Sequence, residues 1–353
     1  MSTAQRWTVE QSQAWRQQVG WLMGANYLPR SAQNQLAMWQ AETFDLAMIR
    51  EEFGWAAEAG LNAFRIYLHD LLAGDLPGFL DRMQQVSDLA AELGHKLIYV
   101  FFDDCWRPDP QLGPQLPPVP RMHNSRWVQS PGSAVRGALD ASQLQRLGDY
   151  VSAVIERFDG HDAVVLWDLY NEPGNPGEST DAPASDFEGS LALLESAFEW
   201  ARAVGPSKPL TAGHWHYGEA FQSLNAAQAR LSDVASFHFY SHPHKLERAL
   251  GQVSSFYSDG EVGGEQGRAM VCTEYMARVN HNLFFNVTPL LKERGIDAIH
   301  WGLVAGASNT KYPWGSQPSS PEPLCWHHEL LHPDGSAYDE AELAFLRGLS
   351  PRG

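Results

Sequence analysis

Two glutamates each close an apolar run of the sequence. Glu172 stands in "DLYNEPG" (residues 168–174), which follows "AVVLW" (residues 163–167) without a break, and Glu274 stands in "VCTEYM" (residues 271–276). Two carboxyl groups brought to roughly 5 to 5.5 Å can cleave a glycosidic bond with retention, one as nucleophile and the other as acid and then base. The residue types in neighbouring runs suit that chemistry: Arg65, the alternating pair His238 and Tyr240, and Trp301. A guanidinium and a phenol beside Glu274 would hold it ionised, as a nucleophile requires. Glu172, near that negative charge and shielded from water, is expected to have a raised pKa and to keep a proton for the leaving oxygen. Asn171 is placed to hydrogen-bond a sugar 2-hydroxyl, and Trp301 to form a floor for the ring.

These residues act together only if a scaffold brings them to one level. Strand-like runs occupy residues 21–28, 62–68, 96–103, 163–171, 209–215, 234–241, 269–277 and 298–305, each followed by a longer amphipathic stretch. Such alternation implies a parallel sheet, and eight strand–helix units imply a single α/β (β/α)8 TIM barrel. Gly60, Gly94 and Gly295 fall just before the next strand, where a left-handed helix C-cap is expected. One catalytic domain spans residues 1–353, with residues 1–20 as an N-terminal extension packed on it. Two connections exceed what the barrel needs: residues 104–132, with seven prolines, and residues 306–328. Both follow strand C-termini, the face where barrel active sites form, and their Trp106, Trp127, Trp314 and Trp326 mark them as lids.

With its motifs on strands two, four, six, seven and eight in order, the sequence resembles clan A of the glycoside hydrolases, most closely the family 5 cellulase-like enzymes. "WDLYNEP" paired with a strand-seven glutamate in "CTEY" is the specific part of the likeness. The resemblance implies that Glu172 is the acid/base, that Glu274 is the nucleophile, and that Arg65, Asn171, His238, Tyr240 and Trp301 support them. One departure stands out: many family members end strand three with a sugar-contacting histidine, whereas this chain has "FFDDCW". Asp103 and Asp104 are therefore expected at the pocket rim as acceptors for paired hydroxyls of a terminal sugar. A divergent or separate family of the same clan is compatible with that departure.

Composition narrows the partners. A formal charge of -17, from 25 Lys and Arg against 42 Asp and Glu, offers no basic face for nucleic acid or anionic lipid. The first twenty residues lack a signal-peptide core, so a cytoplasmic protein is expected, and three cysteines without CxxC spacing argue against a disulfide framework. A polysaccharide does not enter the cytosol, but an imported oligosaccharide does, so an exo-acting β-glycosidase is expected, with an endo-β-1,4-glycanase as alternative. No cofactor and no metal are expected. A metal-dependent barrel hydrolase would want the histidines at 214–216, 238–244 and 326–328 to converge, and no HxH closes strand one. A non-catalytic carbohydrate-binding barrel would usually lack one of the two carboxylates. His214, His216 and His242 are read as rim or sugar-contacting residues, Glu178, Asp181, Asp186 and Glu188 as a solvated helix entry, and Tyr275 as packing outside the barrel axis.

Overall fold

The structure is a computed structural model that describes residues 5–176, 186–260, 262–264 and 266–352. Eight parallel strands form the sheet: β1 Met23–Tyr27, β2 Ala63–Tyr67, β3 Lys96–Asp103, β4 Val164–Asn171, β5 Leu210–Thr211, β6 Ala235–Phe239, β7 Met270–Tyr275 and β8 Asp297–Trp301. Their order, β5-β4-β3-β2-β1-β8-β7-β6, curls into a barrel with its seam between β5 and β6. A parallel bridge from His214 to Phe237 draws that seam together, and His214 and His238 exchange backbone hydrogen bonds with β6 and residue 214 at 2.9 Å. The expected (β/α)8 TIM barrel is therefore present. β8 ends earlier than expected because Gly302 turns at a φ of 79°, where a Cβ would lie 2.9 Å from the Glu329 nitrogen.

Helices enclose the sheet, and the sequence signals for their ends hold: Gly60, Gly94 and Gly295 all take positive φ. At the N-terminal end of the barrel, the helix Val9–Val19 starts on a Thr8–Gln11 capping box. It sets Trp15 across the barrel floor, its indole donating to the Val165 carbonyl at 2.9 Å. Trp15, Leu22, Ile98, Leu166, Val271 and Ile299 close that end as one apolar cluster. Above the floor the interior turns polar at Asn26, Arg65, Asp168 and Thr273, all buried. The chain thus builds an apolar plug beneath a charged layer, which lies directly under the open face. Among the described residues no helix is long and apolar enough to cross a membrane. Glu178 and Asp181 lie outside the described residues, while Glu188 is exposed on the helix Asp186–Val204.

Buried titratable groups make this fold sensitive to pH from both sides. Burial pushes His95, His300 and His327 down to about 3, and His123 and His214 down to about 4. Their contribution to stability is complete above the ordinary histidine value and is lost as pH falls through the folded values. Burial acts the opposite way on acids, raising Asp103 and Asp297 to about 7 and Glu329 to about 8. Those acids contribute stability below the ordinary carboxylate range, and it is lost as pH rises through 7 to 8. Each group carries about 1.4 kcal/mol per pH unit in its window. Thermal unfolding followed by circular dichroism should therefore give a Tm maximum near pH 6.5, falling on either side. A Tm constant from pH 5 to 8 would contradict these protonation states.

Candidate active site

Arg65 organises the centre. It projects inward from β2, fully buried, with Nε donating to Asp168 at 2.9 Å, one terminal nitrogen to Asn171 Oδ1 at 2.7 Å, and the other to Asn26 Oδ1 at 2.9 Å and Glu274 Oε1 at 3.0 Å. Burial alone would lower its pKa, but the surrounding Tyr67, Asp168 and Glu274 raise it, so the guanidinium is a fixed cation. Tyr67, two residues along the same strand and hence on the same face, donates to Glu274 Oε1 at 2.7 Å. Tyr240, just past β6, donates to Glu274 Oε2 at 2.8 Å. Glu274 is thus gripped through both oxygens by hydrogen-bond donors. Tyr275, next to it, turns outward to bond Thr288 at 2.7 Å, as strand alternation predicts.

Glu172 follows β4 with a φ of 46°, a left-handed conformation rare for this residue type, which re-aims its side chain at the end of the strand. Its Oε1 lies 2.7 Å from His238 Nδ1, and its Oε2 accepts from Asn175 at 2.6 Å and from the Cys105 thiol at 3.1 Å. One oxygen of Glu172, one of Glu274 and a ring nitrogen of His238 all lie within 4.8 Å of one another. The expected upward shift of Glu172 does not occur. Burial pushes it up, but the hydrogen bond and charge of His238, with the bonds from Cys105 and Asn175, hold it below the usual carboxylate range. His238 moves the other way: burial would lower it, and Glu274 and Glu172 together raise it. The opposite shifts of this hydrogen-bonded pair favour a shared proton on the imidazole over one on the carboxylate.

A cavity of about 430 Å³ opens over Glu172 and Glu274, within the size range of small-molecule sites. Trp301 and Trp127 meet edge to face at 5.5 Å on one side, and Trp215 and Trp314 complete an aromatic lining. The two long connections do form its walls: Trp106, His123 and Trp127 come from the first, and Trp314 from the second. They also bond to each other, Asn124 N to the Ser308 carbonyl at 2.9 Å and Asn309 Nδ2 to the Val119 carbonyl at 3.0 Å.

Several expected contacts are corrected by the structure. Asp104 is not at the rim: it is wholly buried and saturated by Arg136, Tyr170 and Ser190 at 2.6 Å each and by the Gly174 amide at 2.7 Å. Asp103 is also buried, accepting from the Trp127 indole at 2.6 Å and Asn171 Nδ2 at 3.0 Å. Asp103 holds the wall residues Trp127 and Asn171 in place, and Asp104 ties together buried groups that do not line the cavity. His214 is buried too, stacked on Phe256 with ring centroids 5.6 Å apart, whereas His216 and His242 are exposed. Tyr67, Cys105 and Asn175 are site residues that the sequence reading missed. Only Tyr67 had a signal, its i+2 spacing from Arg65.

Paired carboxylates at the C-terminal mouth of a (β/α)8 barrel, in a tryptophan-lined pocket, define a glycoside hydrolase. The sequence matches the cellulase family, glycosyl hydrolase family 5, over residues 50–302, and the chain belongs to that family. Solved structures share the fold at low identity. A GH5_18 protein from Streptomyces cattleya in complex with GlcNAc superposes with a TM-score of 0.62 at 13% identity, covering 93% of this chain and 79% of that one. A GH5-4 broad specificity endoglucanase from Clostridium longisporum gives 0.58 at 13% identity, covering 98% and 99%. A β-glucuronidase from Parabacteroides merdae gives 0.53 at 11% identity; the match covers 93% of this chain but only 36% of that larger one. No curated protein sequence matches the chain.

Proposed function

We propose that the protein is a retaining β-glycoside hydrolase that removes end residues from β-linked oligosaccharides. Glu274 is the nucleophile and Glu172 the acid/base. The observation that carries this reading is the close approach of the two carboxylates, one oxygen of each lying within 4.8 Å of the other, which favours the short separation of a retaining pair over the wider one of an inverting pair. Glu274, held through both oxygens by Arg65, Tyr67 and Tyr240, attacks the anomeric carbon while Glu172 delivers to the leaving oxygen the proton it shares with His238. Glu172 then takes a proton from the water that releases the sugar. Asn171 has one N–H directed at the Cys105 sulfur at 3.4 Å, a weak bond that a sugar 2-hydroxyl can replace. Trp301 supplies the floor of the ring. The hydrogen bonds between the two long loops support exo action, because they wall one side of the pocket.

The test is a panel of aryl β-glycosides and short oligosaccharides, with the first product followed by proton NMR. The β-anomer should appear first, and single sugars should be released from oligosaccharide ends. An α-anomer as first product would overturn the mechanism, and internal cleavage would replace exo with endo action. Glu172, His238 and Glu274 are also the one group among the described residues that could hold a metal ion, so the assay is repeated with chelator. Activity should be unchanged; its loss would favour a metal-dependent hydrolase.

A further inference from the structure

A second cleft, of about 400 Å³, is also lined by Glu172. It shares Glu172, Trp215 and Tyr240 with the first cavity and adds His238, but neither Glu274 nor Trp301 lines it. This inference rests on the reading of Glu172 as the acid. A general acid must reach the oxygen that joins the sugar being cleaved to its leaving group. The nucleophile and the ring floor line the first cavity only, which leaves the second cleft for the leaving group.

Lys245 and Arg248 line that cleft. Lys245 precedes the helix Leu246–Ser254 and Arg248 stands one turn on, so the two share a face. Both are exposed, and neither forms an ion pair or a side-chain hydrogen bond among the described residues, so both heads are free to meet a ligand in the cleft. The acid between them, Glu247, is taken by Arg294. A net charge of -17 gives the molecule a field that discourages anions, against which two cations lining the same cleft as the acid form a local exception.

We propose that this cleft receives a leaving group bearing an anion, a carboxylate as in an acidic sugar or a phosphate ester, and that Lys245 and Arg248 bracket it. An anion there gains charge-assisted hydrogen bonds that a neutral group does not. The substrate class is then an acidic or phosphorylated β-glycoside in which the charge sits on the aglycone side.

The experiment uses three aryl β-glycosides of the sugar found by the panel above, with a para carboxylate, a para phosphate ester, or the neutral para methyl ester. The quantity read is the ratio of kcat/KM for each anionic substrate to that for the neutral one, in the wild type and in the Lys245→Gln/Arg248→Gln double variant. At least one ratio should be about tenfold in the wild type, the size of two surface charge contacts, and should fall toward one in the variant. The larger of the two ratios identifies carboxylate or phosphate. Ratios of one in the wild type, or ratios that the double variant leaves intact, would overturn the proposal. Because each ratio is internal to one protein, general damage to the variant cancels. If no aryl β-glycoside is cleaved at all, it is the glycosidase reading that fails.

Discussion

Replacing Glu274 with alanine is expected to lower kcat on aryl β-glycosides by on the order of 100,000-fold, the scale seen when a covalent nucleophile is removed. The loss should lie almost wholly in kcat, because the tryptophan lining of the cavity is untouched. The fold should survive the change. Arg65 keeps Asp168, Asn26 and Asn171 as partners, so no uncompensated buried charge is left behind. Added azide occupies the vacated space on the face opposite the leaving group. It should restore turnover of substrates with activated leaving groups and yield the α-glycosyl azide. A variant that keeps a tenth of the wild-type rate, or a rescued product of β configuration, would show that another group attacks.

Glu172→Gln is expected to discriminate between substrates where Glu274→Ala does not. An unactivated sugar leaving group needs its proton, so kcat/KM on oligosaccharides should fall by about 100- to 10,000-fold. A dinitrophenyl leaving group needs none, so formation of the glycosyl-enzyme should be nearly unaffected for that substrate. An equal loss on both would contradict the acid role. His238 refines the expectation. It shares one proton with Glu172 across 2.7 Å, and its pKa is raised by Glu274 and Glu172 against the effect of burial. Activity that requires this shared proton should persist above the ordinary histidine range and be lost as the pair gives it up. Removing the imidazole in His238→Gln leaves the carboxyl alone to hold the proton, so the basic limb of the kcat/KM profile should move to lower pH. A limb that stays in place would show that His238 does not store the proton.

Strand periodicity made the architecture and the principal site residues legible, because it reports which face a side chain takes. Arg65 in "NAFRIYL", Glu172 after "AVVLW" and Glu274 in "VCTEY" could be placed at one level from strand counting alone. Periodicity does not report depth or partners. Asp103 and Asp104 end a strand at the correct level, yet Arg136, Tyr170 and Ser190 come from distant parts of the chain to bury one of them, and Trp127 engages the other. The sign of the Glu172 shift turned on a separation of 2.7 Å to His238, which no spacing in the sequence encodes. His214 shows the same limit, since "HWH" reads as a rim motif until Phe256 is found packed on its first ring. The long loops were legible as site walls through their tryptophans, but not the hydrogen bonds that join one loop to the other.

The most direct test of the central claim is to trap the intermediate. A 2-deoxy-2-fluoro β-glycoside with a dinitrophenyl leaving group slows release of the sugar more than its capture, so the covalent species accumulates. Peptide mass spectrometry after incubation should find one fluoroglycosyl unit attached to the peptide containing Glu274, and at that residue. The absence of any adduct under conditions where the substrate is consumed, or an adduct on Glu172, would contradict the account.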